Sequence, residues 1–296
     1  MRPLKVMTFN IRTSLADDGP NHWDLRKEFL FQTVRRHDPD IVGFQEPTPS
    51  QWRELEQALA PGWVGVSHSR QDASSEERNH WQGFFYKPMR LELRRHGCFW
   101  LSDTPDVPGS VSFTHDWGAR TCVWGVMKDK KTGREFVFGD THLDTNPASW
   151  LPGAKVLHQQ MDKIAGENPT VLVGDFNCSA GSEPWRYMKE TAEYHDAWNA
   201  VGNEDLGVNS FHAFTGINGL PLDQPEVMEK WLSTLADPLP VFRHYRQHVL
   251  DHRNYRIDWI LYKGALRAVE VCMDTEKKDG RSASDHFAVM ATFEWT

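Results

Sequence analysis

The chain has 296 residues, and its 33 lysines and arginines against 41 aspartates and glutamates give a formal net charge of −8 at pH 7. This length suits one large domain or two small ones. A hydrophobic fraction of 39% with 25% charged residues excludes wholesale disorder and a collagen-like chain. The acidic balance argues against a protein that binds by covering many phosphates with Lys and Arg, although a local basic groove is compatible with it.

The apolar stretches of the chain are short. Residues 170–173 and 287–293 fall far below the ~20 apolar residues that a transmembrane helix needs. The N-terminal stretch is interrupted at Asn10 and Arg12 and is too short for the core of a signal peptide, so we expect a cytoplasmic protein. The cysteines form no C-x-x-C pair and are expected to be reduced structural residues: Cys98, Cys122, Cys178 and Cys272.

Strands and helices alternate in the first part of the chain. Lys5–Phe9 and Asp40–Phe44 predict two strands. Between them, Asp24 can cap a helix whose apolar residues recur at three-to-four spacing until Pro39 ends it. A further helix is predicted after a cap at Ser50, with an apolar face made of Trp52, Leu55 and Leu59.

The same alternation continues to the C-terminus. Further strands are predicted at residues 84–86, 121–127, 135–138, 170–173, 256–262, 268–273 and 287–293. A turn at residues 131–133 joins two of them into a hairpin, and a helix over Gly153–Ala165 precedes the strand at 170–173. Strands and helices that alternate with interspersed hairpins indicate mixed sheets covered by helices.

One segment fits this plan poorly. Residues 216–254 contain four prolines, and we interpret them as an insertion in a single domain of residues 1–296. A helix over Val241–His252 would place three histidines four apart on one face: His244, His248 and His252. Interleaved arginines disfavour a metal site there. We instead expect the insertion to form a lid that supplies Arg243 and Arg246 to an anionic substrate.

Polar residues accumulate where the predicted strands end. They are Asn10, Glu46, the run Asp140-Thr141-His142, the run Gly174-Asp175-Phe176-Asn177, Asp258, and the run Ser284-Asp285-His286 just ahead of the last strand. Carboxylates, carboxamides and imidazoles at strand ends are typical of an active site at the edge of a sheet.

Six motifs, in this order, resemble those of the endonuclease/exonuclease/phosphatase superfamily. They are T-F-N-I-R at 8–12, Q-E at 45–46, T-H-L-D at 141–144, G-D-F-N at 174–177, R-I-D at 256–258 and S-D-H at 284–286. The segment F-W-L-S-D-T-P at 99–105 further resembles a bacterial branch of this family. The chain departs from that branch at 79–81, where Asn-His-Trp replaces a common acidic residue, and at Ala283, which replaces a proline.

The resemblance implies a fold and a metal site. The fold would be a four-layer α/β/β/α sandwich with two mixed β-sheets. Hydrolysis of a phosphate ester requires neutralised phosphoryl oxygens, an activated water and a stabilised leaving oxygen. Glu46, with Asn10 and Asp285 beside it, would hold Mg²⁺ or Mn²⁺.

The resemblance also implies the catalytic residues. His286 would act at the scissile phosphate, with Asp258 holding its imidazole, and Asp175 would orient and deprotonate the attacking water. Asp175 and His286 could exchange these roles. Asn177 and His142 would donate hydrogen bonds to the phosphoryl oxygens.

Two further residues match positions near the substrate in the family. Arg120 corresponds to an arginine that faces the phosphate, and His212 to a position near the pocket. Together with the lid arginines, they are the predicted substrate-binding residues.

The sequence therefore predicts a metal-dependent phosphoesterase for a phosphodiester or phosphomonoester of a small or lipid-derived organic phosphate. A Mg²⁺-dependent endonuclease or exonuclease acting on nucleic acid is the first alternative. A catalytically silent binding module of the same fold is the second, and it is disfavoured because no metal ligand and no member of the Asp–His pair is lost.

Overall fold

The structure, a computed structural model, describes residues 3–71, 79–113, 118–214 and 251–296. The strands in these segments are β1 (Leu4–Asn10), β2 (Ile41–Gln45), β3 (Val64–Ser69), β4 (Trp81–Tyr86), β5 (Leu91–Trp100), β6 (Thr121–Asp129), β7 (Glu135–His142), β8 (Thr170–Asp175), β9 (His195–Asp196), β10 (Asp258–Lys263), β11 (Leu266–Asp274) and β12 (Ala288–Trp295). The helices are α1 (Trp23–His37), α2 (Pro49–Leu59), α3 (Pro147–Ala165), α4 (Glu183–Glu190) and α5 (Ala197–Ala200).

The strands form two six-stranded mixed sheets. Their orders are β11-β12-β1-β2-β4-β3 and β5-β6-β7-β8-β10-β9. Each sheet contains one parallel pair, β1 with β2 and β7 with β8, flanked by antiparallel neighbours. The sheets pack face to face, with α1 and α2 outside the first and α3 and α4 outside the second. The predicted sandwich of two mixed sheets is confirmed.

Alternate residues of the central strands face opposite layers, because side chains alternate along a strand. In β1, Val6 packs in the core between the sheets, whereas Phe9 packs against the helices. In β8, Val173 likewise faces the other sheet. Asn10 and Asp175 continue these inward-facing rows at the strand ends. The polar strand ends therefore lie at the edge of the layer between the sheets.

The first two helices begin earlier than predicted. The N-cap of α1 is His22, whose Nδ1 accepts a hydrogen bond from the backbone N of Asp24 at 3.5 Å, so Asp24 lies inside the first turn. There its negative charge interacts favourably with the positive N-terminal end of the helix dipole. The N-cap of α2 is Thr48 and not Ser50, because Thr48 and Gln51 form a capping box ahead of Pro49.

The third helix is six residues longer at its N-terminus than the predicted Gly153–Ala165. It begins at Pro147 after the N-cap Asn146. Pro147 occupies the first helical position, where its missing N–H has no intrahelical partner to lose. Pro152 lies inside the helix, and the helix tolerates the loss of the backbone hydrogen bond that this residue cannot donate.

The predicted insertion lies almost entirely outside the described residues. Of residues 216–254, the structure describes only 251–254. Arg243 and Arg246, together with His244 and His248, therefore lie outside the described residues, and the predicted lid stays a prediction. In the described part of the chain, no helix combines the length and the apolar character that a membrane crossing requires.

Candidate active site

A cavity of about 640 Å³ opens at the edge shared by the two sheets. β1, β2, β7 and β8 end at this edge, and β10 and β12 start from it, so residues that are far apart in sequence meet there. The cavity is lined by predicted site residues from both sheets: Glu46, Arg120, His142, Asp175, Asn177, Asp285 and His286.

Glu46 follows β2 in a left-handed backbone conformation with φ of 69°. Its Oε1 accepts a hydrogen bond from Asn10 Nδ2 at 3.2 Å, and its Oε2 accepts one from the backbone N of Thr13 at 3.1 Å. Burial favours the neutral acid, but the Arg12 guanidinium, the nearby histidines and the Asn10 hydrogen bond together outweigh this and lower the pKa of Glu46 to about 2. Glu46 is therefore an ionised carboxylate at neutral pH.

Asp285 lies on the same side of the cavity. Burial raises its pKa, and the Arg12 guanidinium, whose Nε lies 3.6 Å from Asp285 Oδ2, opposes the rise. Arg12 is fixed in turn by two hydrogen bonds to Asp18, at 3.0 and 3.1 Å. Ser284 Oγ donates to the carbonyl of Asn10 at 2.7 Å and so ties the loop before β12 to the end of β1.

The donor set of Glu46, Asn10 and Asp285 fits a hard divalent cation. It offers carboxylate oxygens and no thiolate, and Glu46 stays charged, whereas the Asn10 amide oxygen accepts from the backbone N of Arg12 at 3.0 Å. The Asn10 amide lies between two carboxylates, with Nδ2 3.2 Å from Glu46 Oε1 and 2.9 Å from Asp175 Oδ2. A positive group is therefore favourable at this point of the site.

Asp175 is the centre of the hydrogen-bond network. Its Oδ2 accepts from Asn10 and lies 3.3 Å from His142 Nε2 and 3.7 Å from His286 Nε2. Its Oδ1 accepts from the backbone N of Asn177 at 2.9 Å. Burial raises the pKa of Asp175 to about 7, although the charge of His286 opposes the rise. This carboxyl group therefore titrates near neutral pH.

His286 and Asp258 form a buried pair across the two sheets. His286 Nδ1 lies 2.8 Å from Asp258 Oδ2, so the ring donates this proton to the carboxylate. Burial disfavours the imidazolium, but the carboxylates of Asp258 and Asp175 outweigh it and raise the pKa of His286 to about 10. Ser210 Oγ accepts from the backbone N of Asp258 at 3.0 Å and fixes the start of β10.

The same three side chains offer an alternative metal grouping. Ligand atoms of Asp175, Asp258 and His286 lie within 4.8 Å of one another. The hydrogen bond from His286 to Asp258 occupies the ring nitrogen between them. This arrangement suits a pair that holds a proton better than a set of metal ligands.

Arg70 is a site residue that the sequence interpretation missed. It follows β3, a strand that the pattern did not predict, and its Nη2 donates to His142 Nδ1 at 2.7 Å. His142 Nδ1 is therefore unprotonated, and Nε2 carries the proton that points to Asp175. Burial together with Arg120 and Arg70 holds the pKa of His142 well below its usual value. A signal in the sequence existed only for His80, which lies in the departure at 79–81 and also lines the cavity.

Arg120, Asn177 and His212 differ in how close they lie to the cavity. Arg120 lines the wall, and its Nε donates to Asp144 Oδ2 at 3.1 Å. Asn177 lines the cavity too, and its Nδ2 donates to the carbonyl of Leu143 at 2.8 Å. His212 lies behind the wall, with its ring centroid 4.3 Å from that of Phe287. His212 therefore lies near the pocket, as predicted, but it packs behind the cavity wall and does not line the cavity.

A second carboxyl group lies deeper between the sheets. Asp140 Oδ1 accepts from Gln45 Nε2 at 2.6 Å, and Asp140 Oδ2 accepts from Gln82 Nε2. Burial raises the pKa of Asp140 well above its usual value. Gly43 leaves room for it, since a Cβ at that position would lie 2.4 Å from Asp140 Oδ1.

The chain therefore has a two-sheet sandwich fold with a polar cavity at the edge that the sheets share. It belongs to the endonuclease/exonuclease/phosphatase family, whose sequence model matches residues 7–286. The predicted family is confirmed, and members of this family generally depend on a divalent metal.

Several solved structures share the fold. An endonuclease/exonuclease/phosphatase from Bacteroides vulgatus is 24% identical with a TM-score of 0.79, and the match covers 100% of both chains. A mannosyl-6-phosphatase from Bacteroides thetaiotaomicron is 23% identical with a TM-score of 0.77, over 99% of this chain and 100% of that one. TDP2 of D. rerio, complexed with a single-strand DNA product, is 14% identical with a TM-score of 0.66, over 99% of each chain.

Two uncharacterized proteins of Acanthamoeba polyphaga mimivirus are similar in sequence. R895 is 26% identical over 172 residues, which are 53% of this chain, and L388 is 24% identical over 159 residues, which are 52%. The match spans 24% of the length of R895 and 59% of that of L388.

Proposed function

We propose that the protein is a metal-dependent hydrolase of a small or lipid-derived organic phosphate, acting on a phosphodiester or phosphomonoester. The observation that carries this proposal is the position of the buried Asp175 carboxyl group at the cavity wall. Its Oδ2 lies 2.9 Å from Asn10 Nδ2, 3.3 Å from His142 Nε2 and 3.7 Å from His286 Nε2, and burial raises its pKa to about 7. A general base works best when its pKa lies near the ambient pH.

Asp175 and His286 then divide the proton chemistry between them. Asp175 accepts the proton of the attacking water, because it is the group that is deprotonated just above neutral pH. His286, with a pKa of about 10, enters the reaction protonated, so it neutralises charge on the phosphoryl group and donates toward the leaving oxygen. Asp258 holds His286 in this charged form.

The remaining donors orient the phosphoryl group. His142 is neutral and presents Nε2–H on the Asp175 side of the cavity, and Asn177 and Arg120 line the adjoining walls. Glu46, Asn10 and Asp285 would hold Mg²⁺ or Mn²⁺. Such a cation supplies neutralisation of charge on a phosphoryl oxygen when bound.

The cavity favours a small substrate. A volume of about 640 Å³ lies within the range of small-molecule sites. The net charge of −8 is unfavourable for a long polyanion outside the cavity. The similar fold of a mannosyl-6-phosphatase is consistent with a small phosphate ester, although at 23% identity it supports the fold alone.

Hydrolysis of nucleic acid is the second candidate. The arginines of the cavity wall favour it, and the chain shares its fold with a protein complexed with a single-strand DNA product. Binding of DNA would release counterions, so its affinity would fall steeply as salt rises. This candidate would be excluded if the affinity for a DNA oligonucleotide did not change with salt concentration.

The test is turnover of bis-p-nitrophenyl phosphate and p-nitrophenyl phosphate in Mg²⁺, Mn²⁺ or EDTA. Both substrates have the same leaving group, so the ratio of their rates measures the preference for a diester over a monoester. We expect metal-dependent turnover that His286→Ala abolishes and that His96→Ala, a substitution of an exposed histidine on β5, leaves intact. Turnover that persists in His286→Ala would refute the assignment.

A further inference from the structure

The loop between β3 and β4 places two cationic or hydrogen-bonding groups in the cavity, and the proposed chemistry uses only the hydrogen bond from one of them, Arg70, to His142. Arg70 lies at its start and His80 at its end, and both line the cavity. Burial lowers the pKa of His80 to about 4, so at neutral pH its imidazole is an uncharged donor.

Arg70 differs from the other arginines of the cavity wall in its partners. Arg12 is paired with Asp18 and Arg120 with Asp144. Within residues 3–71, 79–113, 118–214 and 251–296, no carboxylate oxygen lies within 4 Å of the guanidinium of Arg70. Yet Arg70 is only 3% exposed. Only more distant carboxylates, those of Glu46, Asp175 and Asp140, attract it. A buried cation without a directly paired carboxylate is unfavourable.

The hydrogen bonds of Arg70 leave some N–H donors of its guanidinium group without a partner in the described part of the chain. Its Nη2 donates to His142 Nδ1 at 2.7 Å and to Gln82 Oε1 at 3.3 Å. Its Nε is buried and finds no acceptor in the described part of the chain, and no described residue accepts from its Nη1. Asp140 attracts the guanidinium from a distance but forms no hydrogen bond with it, and Gln45 and Gln82 donate to the two oxygens of that carboxyl group.

We propose that Arg70 and His80 form an anion subsite beside the reacting phosphate, which receives a second oxyanion of the substrate, either a phosphate or a carboxylate. This inference rests on the proposed function, because it takes the first phosphate to be bound at Asp175 and His286. The guanidinium supplies the charge and its unused Nη1 group, and His80 supplies a neutral donor. The substrate is thus an organic phosphate with two anionic groups.

Calorimetric titration with phosphonates tests the subsite without turnover. n-Propylphosphonate and 3-phosphonopropionate have the same length and differ by one carboxylate, and propane-1,3-diphosphonate carries a second phosphonate instead. All three, and their four-carbon homologues, are titrated into the protein with Mg²⁺ in excess over ligand. We expect a doubly anionic ligand to bind at least about tenfold more tightly than the alkylphosphonate, the effect of one charge-assisted hydrogen bond.

Arg70→Met should reduce this preference to about twofold or less, because it removes the charge and keeps the aliphatic stem. Arg70→Lys, which retains a charge, should keep part of it. Arg53→Met, on the exposed face of α2, is the matched control and should keep all of it. Preference for the diphosphonate over the carboxylate assigns the second group as a phosphate, and the reverse assigns it as a carboxylate.

Three outcomes would overturn the subsite. The first is equal affinity of the wild-type protein for all the ligands. The second is a preference for the doubly anionic ligands that survives in Arg70→Met. If Arg70→Met instead weakens every ligand equally, the preference also survives, and Arg70 then belongs to the reacting-phosphate site. The third is binding of none of the ligands to the wild-type protein, and this result alone would also refute the phosphate site of the proposed function.

Discussion

The carboxylate behind His286 stabilises the charged form of that ring. Asp258→Asn keeps the size of the side chain and removes its charge. Asp258 is fully buried and accepts the His286 proton at 2.8 Å. A hydrogen bond to a buried charged group contributes about 1.5–3 kcal/mol, so the substitution should lower the pKa of His286 by about 1–2 from its value of about 10.

Titration of the histidine ring protons by NMR in EDTA measures this change directly. The wild-type ring should stay protonated past pH 8, whereas the variant should begin to lose its proton within the range of the assay. The turnover number should fall as pH rises through the lowered pKa, because the ring then loses the proton that it donates. Asp103→Asn, at an exposed loop residue, is the control and should change neither quantity. A His286 pKa that is the same in Asp258→Asn and in the wild type would refute the reasoning.

Four further expectations concern the site, the caps and the lid. Asp175→Asn should lower turnover by about 10²–10⁴-fold, and wild-type turnover should rise with pH through about 7, because the base must lose its proton; a flat pH–rate profile would contradict this. Thr48→Ala should reduce the free energy of unfolding by about 1 kcal/mol in urea titrations, since it removes the capping box of α2, and an unchanged midpoint would argue against the cap. Burial lowers the pKa of His212 to about 3, so the unfolded chain binds this proton first and stability should fall as pH drops below about 6.5; His212→Asn should flatten that dependence in thermal melts, and an equally steep decline in the variant would be evidence against it. Replacement of Arg243 and Arg246 by Ala should raise the KM for the natural substrate, and an unchanged KM would remove the predicted lid arginines from the site.

The strand ends could be predicted from the sequence because polar residues interrupt buried rows there. Asn10, His142 and Asp175 each terminate a row that faces the other sheet, and this alternation is a local property. The helix starts were harder to predict. By residue type alone, Ser50 is as good a cap for α2 as Thr48, and Asp24 is a better cap for α1 than His22. Only the contacts of the folded chain select Thr48 and His22.

The parts that the sequence did not predict depend on pairing between distant segments. β3 is short and polar, with no clean alternation, so Arg70 at its end gave no signal. The contact of Arg70 with His142 joins residues 72 apart in sequence. Asp140 was expected at the strand-end site, and it lies one inward step below His142, where it contacts Gln45 of the opposite sheet. Such depth along a strand is set by the facing sheet.

The position of the site on the seam between two sheets couples catalysis to the packing below it. Glu46 belongs to one sheet and Asp175 to the other, and the distance between them is maintained by the layer of side chains beneath. In that layer the rings of Phe84 and Phe138 meet edge to face across the seam, with centroids 5.2 Å apart. A substitution that thins or thickens this layer therefore changes the alignment of the base with its phosphate, so that slow variants of a well-folded protein are expected deep in the apolar interior as well as at the cavity wall.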